Sequence, residues 1–202
     1  MPRRSILLFA ALVLLLAAGL GVYALTGGGT HRPQGSGTAL VGGPFTLVNQ
    51  DGRQVTEKDF LGKYMLVFFG YTYCPDVCPT ELQVMTAALD QMGPEADRIQ
   101  PVFVSIDPAR DTPQVLKPYV ANFGPRLVGL TGTDAQIAGI AKAYRVYYAK
   151  AGGSTSSSDY LMDHSSIIYL MGPDGSFVKH MPYTTDPTKL AAELQETLRT
   201  SP

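Results

Sequence analysis

The sequence predicts an α/β fold in which helices flank a central mixed β-sheet. From residue 64 onward, short apolar strand-like runs alternate with segments of helical periodicity. The run 65–69 is wholly apolar, which is typical of a strand buried on both faces of a parallel sheet. Hairpin-like segments near both ends of the domain add antiparallel strands to this core. The chain of 202 residues carries a net charge of −1, so it is long enough for one sizeable core and offers no basic surface for nucleic acid.

The first elements are indicated by apolar alternation and turn residues. Segments 45–48 and 54–56 surround an Asp-Gly turn and predict an N-terminal β-hairpin. The buried strand follows at 64–70. A helix is predicted from about residue 78 to 92, because its apolar residues recur at helical spacing and Gly93-Pro94 ends the pattern.

The remaining elements continue the alternation to the end of the chain. A second buried strand is predicted at 100–107, and Thr112 and Pro113 have the residue types that begin a helix, in this case one reaching about Phe123. The later predictions are a strand at 127–130, a helix from Thr133 or Asp134 to about Tyr144, an extended segment at 145–150, a flexible loop at 152–158, an inserted hairpin of strands 166–171 and 176–180, and a last helix capped by Asp186-Pro187.

The N-terminus predicts a single membrane-spanning helix. Arg3 and Arg4 precede an uncharged, almost wholly apolar run from 6 to 25, which is long enough to cross a bilayer. Arginines of this kind stay in the cytoplasm, so the rest of the chain lies outside it. Small residues late in the run leave a cleaved signal peptide as the alternative. The predicted organisation is an anchor or signal at 1–25, a flexible linker at 26–40 and a folded domain at 41–202.

The only two cysteines, Cys74 and Cys78, lie where the strand 64–70 passes into the helix. The unpaired N–H groups and dipole of a helix start lower the pKa of a thiol. If residue 78 has joined the first helical turn, the two sulfurs can bind one ion or form a disulfide. A structural disulfide, a redox pair and a metal site therefore stay open on spacing alone. Thioredoxin-like folds carry a redox Cys pair at this place, beyond the C-terminal end of a central strand.

His164 is the strongest further candidate for the site. It follows Asp163 and stands just before the strand 166–171, where a loop can approach the cysteines. Two thiolates and one imidazole suit Cu(I), and they could also hold Zn²⁺ with its fourth ligand missing. By itself, a lone histidine is more often an ordinary hydrogen-bonded residue.

Four other side chains stand where they could support such a site, and one of them is Asp163, directly before His164. Asp107 and Asp111 lie at the end of the second buried strand, where a carboxylate can tune a thiol pKa or contact a partner. The competing interpretation is that they cap the loop and pair with Arg110. Tyr73, directly before Cys74, either lines the site or packs.

Three motifs resemble the signatures of the Sco/SenC family. They are Gly70–Leu82 (GYTYCPDVCPTEL), Val104–Thr112 (VSIDPARDT), and Asp163-His164-Ser165 followed by Gly172–Gly175 (GPDG). The resemblance covers about residues 40–200 in matching order. It implies a thioredoxin-like fold exposed on the outer, periplasmic side of the inner membrane. It also implies one copper, as Cu(I) or Cu(II), bound by Cys74, Cys78 and His164.

The resemblance further implies a copper chaperone for cytochrome c oxidase assembly. Its partners would be oxidase subunit II, whose binuclear site receives the copper, together with an unidentified copper donor and a thiol reductant. The alternative is a thiol–disulfide oxidoreductase in which Cys74 and Cys78 keep extracytoplasmic cysteines reduced, including those of the oxidase subunit. A peroxiredoxin-type peroxidase is less favoured, because Tyr71 stands where that class normally has threonine.

Overall fold

The structure is a computed structural model that describes residues 41–152, 160–184 and 186–200, with Val13 and Leu16 in helical conformation. The chain divides into two units, residues 1–38 and 39–202, and every strand among the described residues belongs to the second unit. Within the described residues, no helix is both long and apolar enough to cross a membrane. The predicted anchor at 1–25, the linker at 26–40 and nearly all of the loop at 152–158 lie outside the described residues.

The elements follow the predicted alternation of strands and helices. The strands are β1 (Thr46–Asn49), β2 (Gln54–Thr56), β3 (Tyr64–Gly70), β4 (Ile99–Ser105), β5 (Val128–Thr131), β6 (Tyr148–Lys150), β7 (Met162–His164), β8 (Ile167–Met171) and β9 (Phe177–Pro182). The α-helices of the second unit are α1 (Val77–Met92), α2 (Pro113–Ala121), α3 (Asp134–Tyr144) and α4 (Pro187–Thr200). Short 3₁₀ helices at Glu57–Phe60 and Gly93–Arg98 were not predicted.

One mixed sheet forms the centre of the unit, with strand order β2-β1-β5-β4-β3-β8-β9. β3, β4 and β5 are parallel, whereas β8 runs antiparallel to β3 and β1 runs antiparallel to β5. Every residue of β3 is buried, which explains its unbroken apolar sequence. The predicted mixed sheet with flanking helices is therefore confirmed.

Parallel pairing sets the edge at which the site forms. β3 and β4 pair from Tyr64 with Ile99 to Gly70 with Ser105, so both strands end together. The backbone N–H of Ile106 continues the pairing by donating to the Gly70 carbonyl at 2.9 Å. The loop after each strand therefore begins at the same edge.

Both predicted hairpins are confirmed, since β1 pairs with β2 and β8 pairs with β9 in antiparallel fashion. A third pairing was not predicted: β6 and β7 form a separate two-stranded sheet, with Tyr148 opposite His164. The sequence indicates only extended structure there, because the pairing joins two short segments across the long loop between them.

Local capping explains where two of the helices begin. The Thr133 hydroxyl accepts the Gln136 N–H, and the Gln136 side chain accepts the Thr133 N–H, which forms a capping box for α3. A carboxylate oxygen of Asp186 accepts the N–H groups of Thr188 and Lys189 at the start of α4.

Candidate metal centre

The two cysteines occupy adjoining but unequal environments. Cys74 lies half-buried in the turn after β3, and Cys78 is fully buried in the first turn of α1. The backbone N–H of Cys78 donates to Cys74 Sγ at 3.3 Å. An N–H in the first turn of a helix has no partner within that helix, so the sulfur satisfies it. Both cysteines are free thiols.

His164, the last residue of β7, brings a nitrogen to the same place. Its Nε2 lies 3.4 Å from Cys78 Sγ, and its Nδ1 lies 3.2 Å from the Ser165 carbonyl oxygen. A carbonyl oxygen only accepts, so Nδ1 carries the proton and donates it, which leaves the Nε2 lone pair directed at the sulfur. Among the described residues, Cys74, Cys78 and His164 place three ligand atoms within 4.8 Å of one another.

Two aromatic rings hold the imidazole in this orientation. Phe68 and Tyr71 each meet His164 edge-on, with ring centroids 6.1 Å apart in both pairs. The Tyr71 hydroxyl also accepts the N–H of Met162 at 3.2 Å, which links the cysteine loop to β7. The imidazole is thus positioned by the Ser165 carbonyl and by the rings of Phe68 and Tyr71.

The two thiols differ in acidity as well as in exposure. Hydrogen bonding from Cys78 lowers the pKa of Cys74, and backbone N–H groups add to the effect, while burial opposes it. The same sulfur–sulfur hydrogen bond and burial raise the pKa of Cys78. Cys74 is therefore the thiolate of the pair, and Cys78 keeps its proton until a stronger interaction displaces it.

Asp111 is buried and anchors the cysteine loop. Its carboxylate accepts from the Thr72 N–H at 3.0 Å, the Thr72 hydroxyl at 2.6 Å and the Ser105 hydroxyl at 2.6 Å. Burial raises the pKa of this carboxyl, although the same hydrogen bonds oppose the rise. The side chain connects the end of β4 to the residue two positions before Cys74.

Asp107 is also buried, but its carboxylate is engaged on the side of the site that faces the β6–β7 hairpin. It pairs with Arg110 Nε and accepts the Tyr160 hydroxyl at 2.6 Å. The structure therefore contains the ion pair with Arg110 that was the alternative interpretation for Asp107.

The remaining two predicted residues lie at the surface. Tyr73 is 59% exposed, and the Arg110 guanidinium carbon lies 4.6 Å from the centroid of its ring. Asp163 is exposed on β7 opposite Ala149. Among the described residues, the group of ligand atoms that could hold a metal comes from Cys74, Cys78 and His164, and no aspartate belongs to it.

Gly70 provides space for the site. A Cβ at this position would lie 2.7 Å from Cys78 Sγ and 2.9 Å from Phe103 Cε2, so no side chain fits without movement of the core. The last residue of β3 therefore has to be glycine for the buried sulfur to sit against the sheet.

Sequence reasoning missed two buried polar groups, the Glu81 carboxyl and the Tyr119 hydroxyl. Glu81 is fully buried one helical turn after Cys78, and Thr184 N–H approaches its Oε2 at 3.4 Å. The Tyr119 hydroxyl has no hydrogen-bond partner among the described residues. The signal for Glu81 was its spacing, since residues three apart on a helix share a face.

Comparisons with known proteins agree with the family resemblance of the three sequence motifs. A family model described as SCO1/SenC matches residues 33–199. The mitochondrial protein SCO1 homolog of Homo sapiens is 42% identical over 171 residues, which are 84% of this chain and 56% of that protein. The chain spans about half the length of the curated relatives it matches.

Solved structures give the same result. Arabidopsis thaliana ScoI with copper bound matches with a TM-score of 0.74 at 44% identity, covering 79% of this chain and 98% of that one. BsSco, described with a disulfide switch and as a member of the Sco family of cytochrome c oxidase assembly proteins, matches with a TM-score of 0.62 at 27% identity. That match covers 80% of this chain and 95% of BsSco.

Replacing Gly70 by alanine tests the close packing behind Cys78. Because the new methyl group would overlap Cys78 Sγ and Phe103, Gly70→Ala is expected to lower the free energy of unfolding by about 1–3 kcal/mol in chemical denaturation. The control is Gly139→Ala on α3, where a Cβ meets nothing within 4 Å and the substitution favours the helix by up to about 1 kcal/mol. A Gly70→Ala protein as stable as the wild type would contradict this packing.

Glu81 predicts a pH dependence of stability. Burial raises its pKa from 4.5 to about 7, so the folded state holds a proton that the unfolded state releases between those values. Stability should therefore fall as the pH rises through this window. The glutamine of Glu81→Gln stays neutral at every pH. The free energy of unfolding of this variant, relative to that of the wild type, should therefore rise by about 3 kcal/mol from pH 4 to pH 8 in chemical denaturation. The exposed Glu95→Gln is the control, and a pH-independent difference for Glu81→Gln would refute the prediction.

Proposed function

We propose that this protein, which belongs to the SCO1/SenC family, is a copper-binding chaperone that takes part in cytochrome c oxidase assembly. The observation that carries the proposal is the meeting of two sulfurs and one imidazole nitrogen from three separate positions of the chain. The family membership, the copper-bound relative and the oxidase-assembly relative support it. We assign the domain at 41–202 the thioredoxin-like fold that the family resemblance implies.

The donor set fits copper better than zinc. Cys74, Cys78 and His164 supply two soft sulfurs and a neutral nitrogen, and Cu(I) is stable with few soft ligands. A structural zinc site needs a fourth ligand, and the described residues add none to this group. We therefore propose that each chain binds one copper, as Cu(I) or Cu(II), through these three residues.

Binding of copper depends on both protons and electrons. Cys74 is the more acidic thiol, while Cys78 must give up its proton for its sulfur to become a ligand. Oxidation of the pair to a disulfide removes both thiolates, so a thiol reductant is needed before copper can load. Nε2 of His164 is the ring nitrogen that faces the sulfurs, because Nδ1 is directed at the Ser165 carbonyl oxygen.

Copper leaves by ligand exchange with thiolates of the recipient. We propose that the recipient is the binuclear copper site of cytochrome c oxidase subunit II and that a separate donor supplies the copper. Cys74 is the more accessible of the two sulfur ligands, and the exposed Tyr73 beside it lies where a partner would make contact. Asp111 and Asp107 support the site from within, and Asp163 lies exposed next to His164.

The second candidate function is a thiol–disulfide oxidoreductase for extracytoplasmic cysteines, including those of the oxidase subunit. The observation that favours it is the unequal pair: an accessible Cys74 of lowered pKa beside a buried Cys78 of raised pKa. An exchange enzyme uses such a pair, with the first thiolate attacking and the second resolving the mixed disulfide. His164 distinguishes the two functions, because exchange does not require a third ligand.

We also propose the cellular arrangement that the N-terminus indicates. Arg3, Arg4 and the apolar run 6–25 suit a single-pass anchor in the inner membrane, with a linker at 26–40. The domain at 41–202 then lies on the periplasmic side, where both a disulfide and a reduced pair can occur.

Replacing His164 by alanine separates the two functions. The change removes one of three ligands but leaves both sulfurs, so Cu(I) affinity should fall at least about 10-fold, which is what loss of a supporting residue alone typically costs. Disulfide reduction of a model substrate should be nearly unchanged. The measurements are Cu(I) competition with a chromophoric chelator, copper stoichiometry and a reductase assay. Wild type should bind one copper per chain.

His180→Ala is the matched control, because His180 is exposed on the outer strand β9. It should keep wild-type copper affinity and support oxidase activity at limiting copper. If His164→Ala behaves like this control, His164 is not a ligand and the oxidoreductase function is preferred.

Membrane attachment gives a separate prediction. Full-length protein expressed in bacterial cells should sediment with membranes and resist extraction by alkaline carbonate, because the run 6–25 stays in the bilayer. N-terminal sequencing of the recovered protein checks the result. Mature protein that lacks residues 1–25 would replace the anchor with a cleaved signal peptide.

A further inference from the structure

The His164 ligand is carried by an element that the main sheet does not hold. β6 and β7 pair only with each other among the described strands, whereas the cysteines lie next to the buried β3. A two-stranded hairpin is at best marginally stable on its own in water. Contacts with the loops at the sheet edge must therefore keep His164 facing the sulfurs.

Tyr160, two residues before β7, provides the best-held of these contacts. Its carbonyl oxygen accepts from Arg110 Nη1 at 2.9 Å, and its hydroxyl donates to the Asp107 carboxylate at 2.6 Å. The guanidinium carbon of Arg110 lies 3.7 Å from the centroid of the Tyr160 ring. The backbone, the ring and the hydroxyl of Tyr160 thus all contact Arg110 or Asp107 in the loop after β4.

The same arginine also contacts the cysteine loop. Its guanidinium carbon lies 4.6 Å from the ring centroid of Tyr73, the residue before Cys74, and 5.8 Å from that of Tyr71. The guanidinium is paired and largely shielded from solvent: the side chains of Arg110 and Asp107 are 12% and 4% exposed. Arg110 therefore touches the segment that carries the sulfurs and the segment that leads to the imidazole.

We infer that Arg110 is a positioning residue that, with Asp107 and Tyr160, docks the β6–β7 pair, which carries His164, onto the cysteine loop and so completes the three-ligand site. The inference rests on the proposed function, because it takes Cys74, Cys78 and His164 as the ligands. Arg110 does not contact the copper; it acts by fixing the position of His164. We call Arg110, Asp107 and Tyr160 the Arg110 clasp.

The chemistry of the clasp requires arginine. The guanidinium directs Nε to Asp107 and Nη1 to Tyr160 in a planar fork, while its face lies against the tyrosine rings. A lysine keeps the charge but has neither the fork nor the flat face. Arg110→Lys is therefore expected to behave like Arg110→Met at this site.

A double-mutant cycle in the full-length, reduced protein tests whether Arg110 acts through His164. Arg110→Met should weaken Cu(I) binding about 10-fold in the wild-type background, as loss of a residue that orients a ligand does. In the His164→Ala background the same change should alter binding less than about twofold, because the imidazole that Arg110 positions is absent. If the two residues acted independently, their effects would instead add. Cu(I) alone, with a chromophoric competitor, is the probe.

Arg98→Met is the matched control. Arg98 also lies over a tyrosine ring, at 5.8 Å from the Tyr64 centroid, and donates to a backbone carbonyl, but it precedes β4 at the opposite end of the sheet. It should leave Cu(I) affinity unchanged in both backgrounds. A general loss of stability would weaken binding in the control and in the His164→Ala background alike.

Hydrogen exchange of the metal-free protein gives a readout that does not involve copper. Arg110→Met should speed exchange of the β6–β7 amides relative to those of β3, and Arg98→Met should not. Tyr160→Phe removes only the hydroxyl donor to Asp107 and should speed the same amides to a smaller extent. This milder variant keeps the inference testable if Arg110→Met does not fold.

The outcomes separate the inference from the proposed function. If His164→Ala itself leaves Cu(I) binding unchanged, the proposed ligand set fails. If His164→Ala weakens binding while Arg110→Met and Tyr160→Phe leave both binding and hairpin exchange unchanged, the proposed function stands and the positioning role is refuted. Equal effects of Arg110→Met in both backgrounds also refute it, because Arg110 would then act independently of His164.

Discussion

The register between strands β3 and β4 is the constraint on which the rest of the structure depends. Because the two strands run parallel from Tyr64–Ile99 to Gly70–Ser105, the cysteine loop and the Asp107–Asp111 loop begin side by side. β8 is antiparallel to β3, so its first residues lie at the same edge, with Ile168 opposite Phe68. His164 precedes β8 and therefore reaches this edge as well. One set of strand pairings thus brings the cysteine loop, the two carboxylates and the start of β8 to one edge, where the separate β6–β7 pair adds His164.

Burial then gives each polar group at this edge its character. Asp111 lies out of water, yet three hydrogen bonds from Thr72 and Ser105 satisfy its carboxylate, so it ties the cysteine loop to β4. Glu81 is buried, and among the described residues its carboxylate has one weak partner, so burial raises its pKa to about 7. The cysteines show the same contrast over a few ångströms, since Cys74 accepts hydrogen bonds as a thiolate, while the hydrogen bond that Cys78 donates to Cys74, together with burial, raises the pKa of Cys78. Partners, rather than burial alone, decide which group stays ionised.

The three candidate ligands are held with different rigidity. Cys78 lies in the first turn of a helix, and Cys74 lies in the short turn that joins this helix to the buried strand β3. His164 belongs to a two-stranded sheet that depends on side-chain contacts, chiefly Tyr71 with Met162 and the Arg110 clasp. Elements with few core contacts open at lower free energy than core strands. The candidate nitrogen ligand is therefore docked separately from the two candidate sulfur ligands.

The sequence by itself determined the local structure and the identity of the motifs. The apolar run at β3, the Asp-Gly turn, the capping residues Thr133 and Asp186, and the cysteines at a helix start were all predictable, because each depends on residues close in the chain. Three motifs also indicated the family before any geometry was known. Tertiary structure alone decided the pairing of β6 with β7, the approach of His164 Nε2 to Cys78 Sγ, the partners of Asp107 and the burial of Glu81. These features join residues that are far apart in sequence or depend on what packs around them, so no local pattern encodes them.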